Sequence, residues 1–239
     1  MDSERRTAQV VGILFIVATV ASIAGSVVLG SVLEQDDFLL GLDAHATQVT
    51  LAAGLFLIAA TSAVATAFLL FPILRRHAEG LAAGYIALRT FENVFYVAGS
   101  VSLLAMLTVS QNGSLGSAGP PDVALLGAAL QAVRSWAVVL GTLIFFGLGC
   151  VVLNTILFQS RLVPRWLSGW GLLGAAGVST YGVAGLLGYG TELGSPLMLL
   201  AMPIALQEMV FAGWLLVKGL EPRERRLTPS ATPHVPVAA

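Results

Sequence analysis

Six long apolar runs make up most of this chain and restrict its fold more than any other feature. They cover residues 8–33, 48–74, 81–109, 135–158, 166–188 and 196–217. Each is long enough to cross the hydrocarbon core of a bilayer, which takes about 20 helical residues. The sequence therefore predicts an all-α fold, a polytopic membrane bundle of six transmembrane helices that forms a single domain over residues 1–220.

The charge content of the chain agrees with this class. Only 10% of its residues are charged, whereas a soluble domain carries about 25%. A net charge of -1 without a basic patch argues against binding nucleic acid. Cys150 is the only cysteine, and none of the three histidines has a second ligand at helical spacing, so we expect no metal and no cofactor.

The basic residues indicate how the runs are oriented. Ten of the 12 Lys and Arg residues lie at the N-terminus, in the second and fourth loops and after the last run, and none lies in the loops 34–47, 110–121 and 189–195. Because Lys and Arg are retained on the cytoplasmic side, we expect both termini in the cytoplasm of a plasma-membrane protein. The proline-rich tail, residues 221–239, is expected to be disordered there.

Three charged residues fall well inside the runs. Arg89 and Glu92 belong to the third run and Glu208 to the sixth. At about 1.5 Å per helical residue, both glutamates lie roughly 15 Å from the cytoplasmic boundary, close to the midplane. Charges at that depth are costly and usually face the bundle interior, where they find partners. We therefore predict a buried polar cluster.

The neighbours of these charges extend the predicted cluster. Arg89 and Glu92 are three residues apart and share a helix face with Asn93 and Tyr96, while Gln207 lies beside Glu208. If both glutamates reach Arg89, one of them is expected to keep its proton. The alternative is an Arg89–Glu92 pair that serves only assembly, with Glu208 bonded to backbone or water. In the fourth run, Asn154 is predicted to lie too shallow to reach the midplane without tilt.

Two further sets of residues are candidates for contacts at the membrane surfaces. Arg134 and Trp136 are placed by the same arithmetic at the outer interface, where Arg134 either snorkels or caps an outward-facing cavity. Arg161 and Arg165 flank Pro164 at the inner interface. They either bind anionic lipid headgroups or act only as topogenic charges.

Four stretches carry a resemblance to a known family: "TAQVVGILFIVATV", "LRTFENV", "SRLVPRWLSGWGL" and "PIALQEMVFAGWLLVKGL". Together they resemble a bacterial six-helix membrane family known only as a domain of unknown function. The resemblance runs from about Arg5 to Leu220 and implies a fold and a topology without an activity. The family pattern covers Arg89, Glu92, Arg161, Pro164, Arg165, Glu208, Trp214 and Lys218.

Three functions remain open at this stage. The first is binding or transport of a small amphipathic or lipid-like ligand at the midplane cluster, since transporters often place their sites between helical repeats. The second is an intramembrane enzyme acting on a lipid or isoprenoid, although no nucleophile motif is present. The third is an accessory subunit that docks a partner through its glycine-rich faces. Membrane lipids are expected partners in each case, and homo-oligomerisation stays open.

Overall fold

The computed structural model describes residues 2–34, 38–111, 119–189 and 195–220, and over these the chain is helical without strands. The α-helices are α1 (Asp2–Leu29), α2 (Phe38–Gly41), α3 (Ala46–Leu74), α4 (Glu79–Gln111), α5 (Pro120–Val138), α6 (Phe146–Ser160), α7 (Arg165–Leu186) and α8 (Met202–Val217). Two short 3₁₀ segments, Leu42–His45 and Pro196–Ala201, precede α3 and α8. A π-helical segment, Val139–Phe145, joins α5 to α6 without a break.

Five helical stretches are long and apolar enough to cross a membrane. They are Ser3–Leu29, Phe38–Leu74, Glu79–Gln111, Pro121–Ser160 and Pro196–Val217. The sixth long helix, α7, has 22 residues but is rich in glycine, and it is not among these five. The lengths and composition are those of a multi-pass membrane protein.

The outer surface of the bundle is apolar, as a lipid-facing surface must be. Large hydrophobic side chains project from several helices with little cover, including Val27 at 73% exposed, Leu125 at 72% and Leu173 at 76%. In water such a surface would be an aggregation hazard. In lipid it needs no partner.

The six long helices contact one another in a closed order. α1 packs against α3 and α8, α4 against α3 and α6, and α7 against α6 and α8. A ring arranged in this way has a centre that all six helices can reach. Side chains from every long helix line one cavity there.

Two of the differences from the expected helix bounds have a local cause. α1 ends at Leu29 because Gly30 adopts a positive φ of 51°, whereas the apolar run continues to Leu33. The fourth long helix begins at Pro120, where the sequence indicated Ser135. Proline fits the first turn of a helix, and the residues that follow are good helix formers.

Glycine allows the π-helical segment to press against α4. A Cβ at Gly141 would lie 3.0 Å from the carbonyl oxygen of Glu92 and 2.9 Å from Cβ of Phe95. Beside it, Phe145 stacks on Phe91 and Phe95 with ring centroids 5.3 and 5.5 Å apart. The segment is therefore held tightly against the turn of α4 that carries Glu92.

The basic segments gather at one end of the bundle. Arg76, after α3, forms a salt bridge with Glu4 at the start of α1. At the end of α8, the position of a Cβ on Gly219 lies 4.0 Å from the side chains of Ala8 and Arg5. Leu162, between Arg161 and Arg165, belongs to the same apolar cluster as Ala8. The two ends of the described chain thus meet on one face.

Candidate functional site

A cavity of about 270 Å³ lies at the centre of the helix ring. Most of its lining is apolar, with three alanines on α3 (Ala59, Ala60 and Ala63) and phenylalanines on α1 and α6. The charged residues in the lining are Arg89, Glu92 and Glu208. This combination of an apolar wall and a few convergent polar groups is typical of small-molecule sites.

The cavity approaches the surface between α1 and α8. These helices are in close contact at Gly12, where a Cβ would lie 2.8 Å from the carbonyl oxygen of Ala212. Nearby, the rings of Phe15 and Phe211 pack edge to face with their centroids 5.6 Å apart. Farther from that contact, Ile23 on α1 and Ala205 on α8 both line the cavity and are both exposed. An opening at this position would face the lipid.

Arg89 organises the polar wall of the cavity. Its Nη1 donates to both carboxylate oxygens of Glu92 at 3.0 and 2.9 Å. Its Nη2 donates to Oε1 of Glu208 at 3.3 Å, and its Nε donates to the hydroxyl of Tyr85 at 3.3 Å. One guanidinium therefore joins two carboxyl groups that come from opposite halves of the sequence.

The two glutamates are bound unequally. The Glu92 side chain is 8% exposed and uses both oxygens, whereas the Glu208 side chain is 14% exposed and receives a single, longer bond. With all three groups ionised, the cluster would carry a net negative charge in an apolar interior, which is costly. It is neutral only when one carboxyl group carries a proton. Glu208 is the more weakly bonded of the two glutamates.

Aromatic rings surround the guanidinium. The centre of the Arg89 guanidinium lies 5.8 Å from the Phe15 ring, 5.9 Å from the Tyr85 ring and 5.3 Å from the Phe146 ring. Cations are attracted to such ring faces within about 6 Å. The rings therefore add cation–π contacts to the ion pair that holds Arg89.

Asn93 leaves one acceptor without a partner. Its Nδ2 donates to the carbonyl oxygen of Arg89 at 2.7 Å, which fixes the orientation of the amide. Its Oδ1 is buried and accepts no hydrogen bond from the described residues, although the side chain lines the cavity. A buried amide oxygen of this kind is normally paired.

Tyr96 forms the outer limit of the polar wall. Its hydroxyl is hydrogen bonded to Ser22 on α1 at 2.5 Å, and its ring meets Phe56 on α3 edge to face at 5.9 Å. The guanidinium of Arg134 lies over the Phe56 ring, 5.8 Å from the ring centroid. Arg134 is half-buried, while Trp136 is 49% exposed on the outside of the bundle.

Gln207 faces away from Arg89. Its Nε2 lies 3.4 Å from Oδ1 of Asn154 and 3.3 Å from the carbonyl oxygen of Leu167, so it ties α8 to α6 and α7. The sequence-based depth estimate for Asn154 assumed untilted helices, and it did not predict this contact with Gln207. Gln207 is therefore a packing residue beside the cluster, and it is not part of the cavity lining.

The loop between α6 and α7 carries Arg161 and leads into Arg165. Arg161 is exposed and adopts a left-handed conformation with φ of 54°, which ends α6. Arg165 is exposed at the start of α7, and its guanidinium lies 5.2 Å from the Phe158 ring. Neither residue is part of the cavity lining. Among the described residues, no three His, Cys, Asp or Glu side chains are grouped as metal ligands require.

Residues 10–219 match the model of a protein family described as a domain of unknown function, DUF4386. The chain belongs to this family. The match confirms the resemblance to an uncharacterised family that the sequence motifs indicated, and the DUF4386 region includes Arg89, Glu92 and Glu208. No curated protein and no solved structure matches the chain.

Several residues of the site escaped the sequence reasoning. Tyr85 lies four positions before Arg89, and helical spacing alone could have placed it on the same face. Ser22 on α1 is hydrogen bonded to Tyr96, and its position in an apolar run does not indicate that contact. Phe15 and Phe146 carry no sequence signal that separates them from other apolar residues in their runs.

Proposed function

We propose that this DUF4386 protein binds a small amphipathic or lipid-like ligand in the central cavity and carries it between the membrane and one side of the bilayer. The observation that supports this most strongly is the cavity itself. It combines an apolar wall with one buried cluster of charges. A helix bundle that needed Arg89 and Glu92 only for assembly would close around them.

The position of the cavity supports a ligand that enters from lipid. Ile23 and Ala205 flank the exposed gap between α1 and α8. A hydrophobic tail can pass there while the head remains against the polar wall. Membrane lipids are thus the expected surroundings of the ligand, and they can also be its competitors.

The proposal includes six transmembrane helices, with α7 as the fifth of them and both termini in the cytoplasm. Arg5, Arg76, Arg165 and Lys218 lie in segments that meet at one end of the bundle. By the positive-inside rule this end faces the cytoplasm of the plasma membrane. Glycines that pack α7 against α8 account for its low hydropathy, since a Cβ at Gly174 would lie 2.7 Å from the backbone nitrogen of Ile204.

Binding of an alkyl fluorophore tests the proposal. The protein is reconstituted into phosphatidylcholine nanodiscs and titrated with the probe. Ala63 is buried and lines the cavity, so Ala63→Phe fills it. Leu173→Phe adds similar bulk to a side chain that is 76% exposed to lipid, and it serves as the matched control.

We expect Ala63→Phe to weaken binding at least tenfold and Leu173→Phe to leave it unchanged. Equal binding by both variants would place the probe outside the cavity and contradict the proposal. Uptake into proteoliposomes separates binding from transport. Uptake that is insensitive to both Glu92→Gln and Glu208→Gln would argue against transport through this site.

A further inference from the structure

We propose that the ligand is a lipophilic monocation with a primary ammonium head, and that its binding displaces one proton from Glu208. This inference rests on the proposed function and specifies its chemistry. It follows from three observations: the charge count of the cavity, the hydrogen-bonding groups left over in its wall, and its size.

The charges in the cavity lining balance only if one of its carboxyl groups carries a proton. Arg89 supplies one positive charge, and Glu92 and Glu208 can supply two negative charges. Glu92 holds the guanidinium with both oxygens and completes one ion pair. Without a ligand, Glu208 carries a proton and is neutral. When a cationic ligand binds, Glu208 loses that proton and becomes a carboxylate. A monocation can take the place of that proton without changing the net charge.

The groups around Glu208 support this exchange. On α4 it faces Arg89, Glu92 and Tyr85, and on α6 it lies beside Cys150 across a small void. The lining contributed by α1, α3 and α7 is uncharged. Among the described residues that line the cavity, Arg89 is the only arginine or lysine, and it already pairs with Glu92.

Most hydrogen-bonding groups of the charged cluster already have partners. Each nitrogen of the Arg89 guanidinium already has an acceptor, at Tyr85, Glu92 or Glu208. Asn93 Oδ1 is buried and accepts no hydrogen bond within the part of the chain that the structure describes. A primary ammonium carries three N–H donors, so it can bind a Glu208 carboxylate and still has donors for other acceptors of the wall. A carboxylate or phosphate head would instead compete with Glu92 for Arg89.

The size of the cavity limits what can be enclosed. A volume of about 270 Å³ corresponds to about nine waters at roughly 30 Å³ each. The head and the first part of an alkyl chain fit in this space. A longer tail would leave through the gap between Ile23 and Ala205 into the lipid.

The exchange balances without any other reactant. The protonated carboxyl of Glu208 loses its proton to water as the ammonium binds, and the carboxylate and ammonium then form an ion pair. No covalent bond to carbon changes. One cation enters and one proton leaves, so affinity should rise with pH while Glu208 is protonated and level off once it is ionised.

Calorimetry with four decyl probes tests this exchange. The protein in phosphatidylcholine nanodiscs is titrated with decylamine, decyltrimethylammonium, decanol and decanoate, each in two buffers of different ionisation enthalpy. The difference between the buffers gives the number of protons released. We expect decylamine to bind tightest and to release close to one proton. Decanol should bind more weakly without releasing any, and decanoate should bind weakest.

Two variants control for protons released by partitioning of the amine into lipid. Glu208→Gln keeps an oxygen that can accept from Arg89 Nη2 and should reduce the proton count to near zero. Glu79→Gln removes an exposed carboxylate at the start of α4 and should behave as the wild type. The titration is repeated in nanodiscs that contain phosphatidylethanolamine. If the natural ligand is a lipid with an ammonium headgroup, this lipid should compete with decylamine.

The possible results separate this inference from the proposed function. Decylamine binding without proton release, an unchanged proton count in Glu208→Gln, or tight binding of decanoate would overturn the exchange and leave an amphiphile site in place. Failure of all four probes to bind would overturn both. If Glu208→Gln does not fold, the proton count of the wild type still decides the question.

Discussion

Arg89 on α4 donates a hydrogen bond of 3.3 Å to Glu208 on α8, across 119 positions of the sequence. The same guanidinium is bound by Glu92, one helical turn away on α4. This link joins the third and the last long helix at the wall of the central cavity. It makes the stability of the bundle and the chemistry of the cavity depend on one side chain.

Removing Arg89 should therefore destabilise the fold strongly. In Arg89→Leu, two buried carboxyl groups lose their common partner, and breaking a buried ion pair costs about 3–5 kcal/mol. Thermal unfolding in a fixed detergent measures the loss. The double variant Arg89→Leu with Glu92→Leu should recover part of it, because no unpaired carboxylate is left beside the new apolar side chain. A single variant as stable as the wild type would contradict the structural role of the cluster.

The two glutamates should differ in their contribution to stability. Glu92→Gln removes an ion pair that uses both oxygens at 3.0 and 2.9 Å, whereas Glu208→Gln replaces one bond of 3.3 Å. Glu92→Gln is therefore expected to lower the unfolding temperature more than Glu208→Gln. The same detergent assay compares them, with Glu79→Gln as the surface control. The reverse order would mean that Glu208 is the ionised partner of Arg89.

Much of this arrangement could be predicted from the sequence. The spacing of Arg89 and Glu92 places them on one face, and counting residues from the helix ends puts Glu208 at the same depth. That Arg89 binds both glutamates could not be predicted, because it depends on which helices are neighbours in the ring. Neither apolar periodicity nor charge distribution carries that information in a chain whose lipid face and core are equally apolar.

The remaining differences have similar physical causes. Gln207 and Asn154 meet where α6 and α8 both pack against α7, and residue counts along straight helices do not predict that contact. The early start of the fourth helix at Pro120 follows from local propensity, since the segment before Ser135 is helical without being uniformly apolar. The cavity could not be predicted from the sequence, because alanines such as Ala63 also occur where helices pack closely.

The hydrogen bond between Tyr96 and Ser22 should contribute modestly to the contact between α4 and α1. A double-mutant cycle of Tyr96→Phe and Ser22→Ala measures it as a coupling free energy. We expect about 0.5–1.5 kcal/mol, the usual net value of an intramolecular hydrogen bond. Strictly additive effects of the two substitutions would show that the 2.5 Å contact does not stabilise the protein.

Gly141 should tolerate no side chain. Its Cβ position is 3.0 Å from a backbone oxygen of α4, so Gly141→Ala must push the π-helical segment away from Glu92. Overpacking of this kind costs about 1–3 kcal/mol. Gly54→Ala in α3 is the matched control, because nothing lies within 4 Å of its Cβ position. Comparable unfolding temperatures for the two variants would contradict the close approach.

The most direct test of the central claim, that the cavity holds an amphipathic ligand, is photo-crosslinking with an alkyl amine that carries a diazirine. Adducts are mapped by mass spectrometry in the wild type and in Ala63→Phe. We predict adducts at Thr19, Ile23 and Ala205 that disappear in Ala63→Phe, while background labelling at lipid-facing Leu173 persists in both. Cavity adducts no stronger than those at Leu173, or unchanged in Ala63→Phe, would contradict the account.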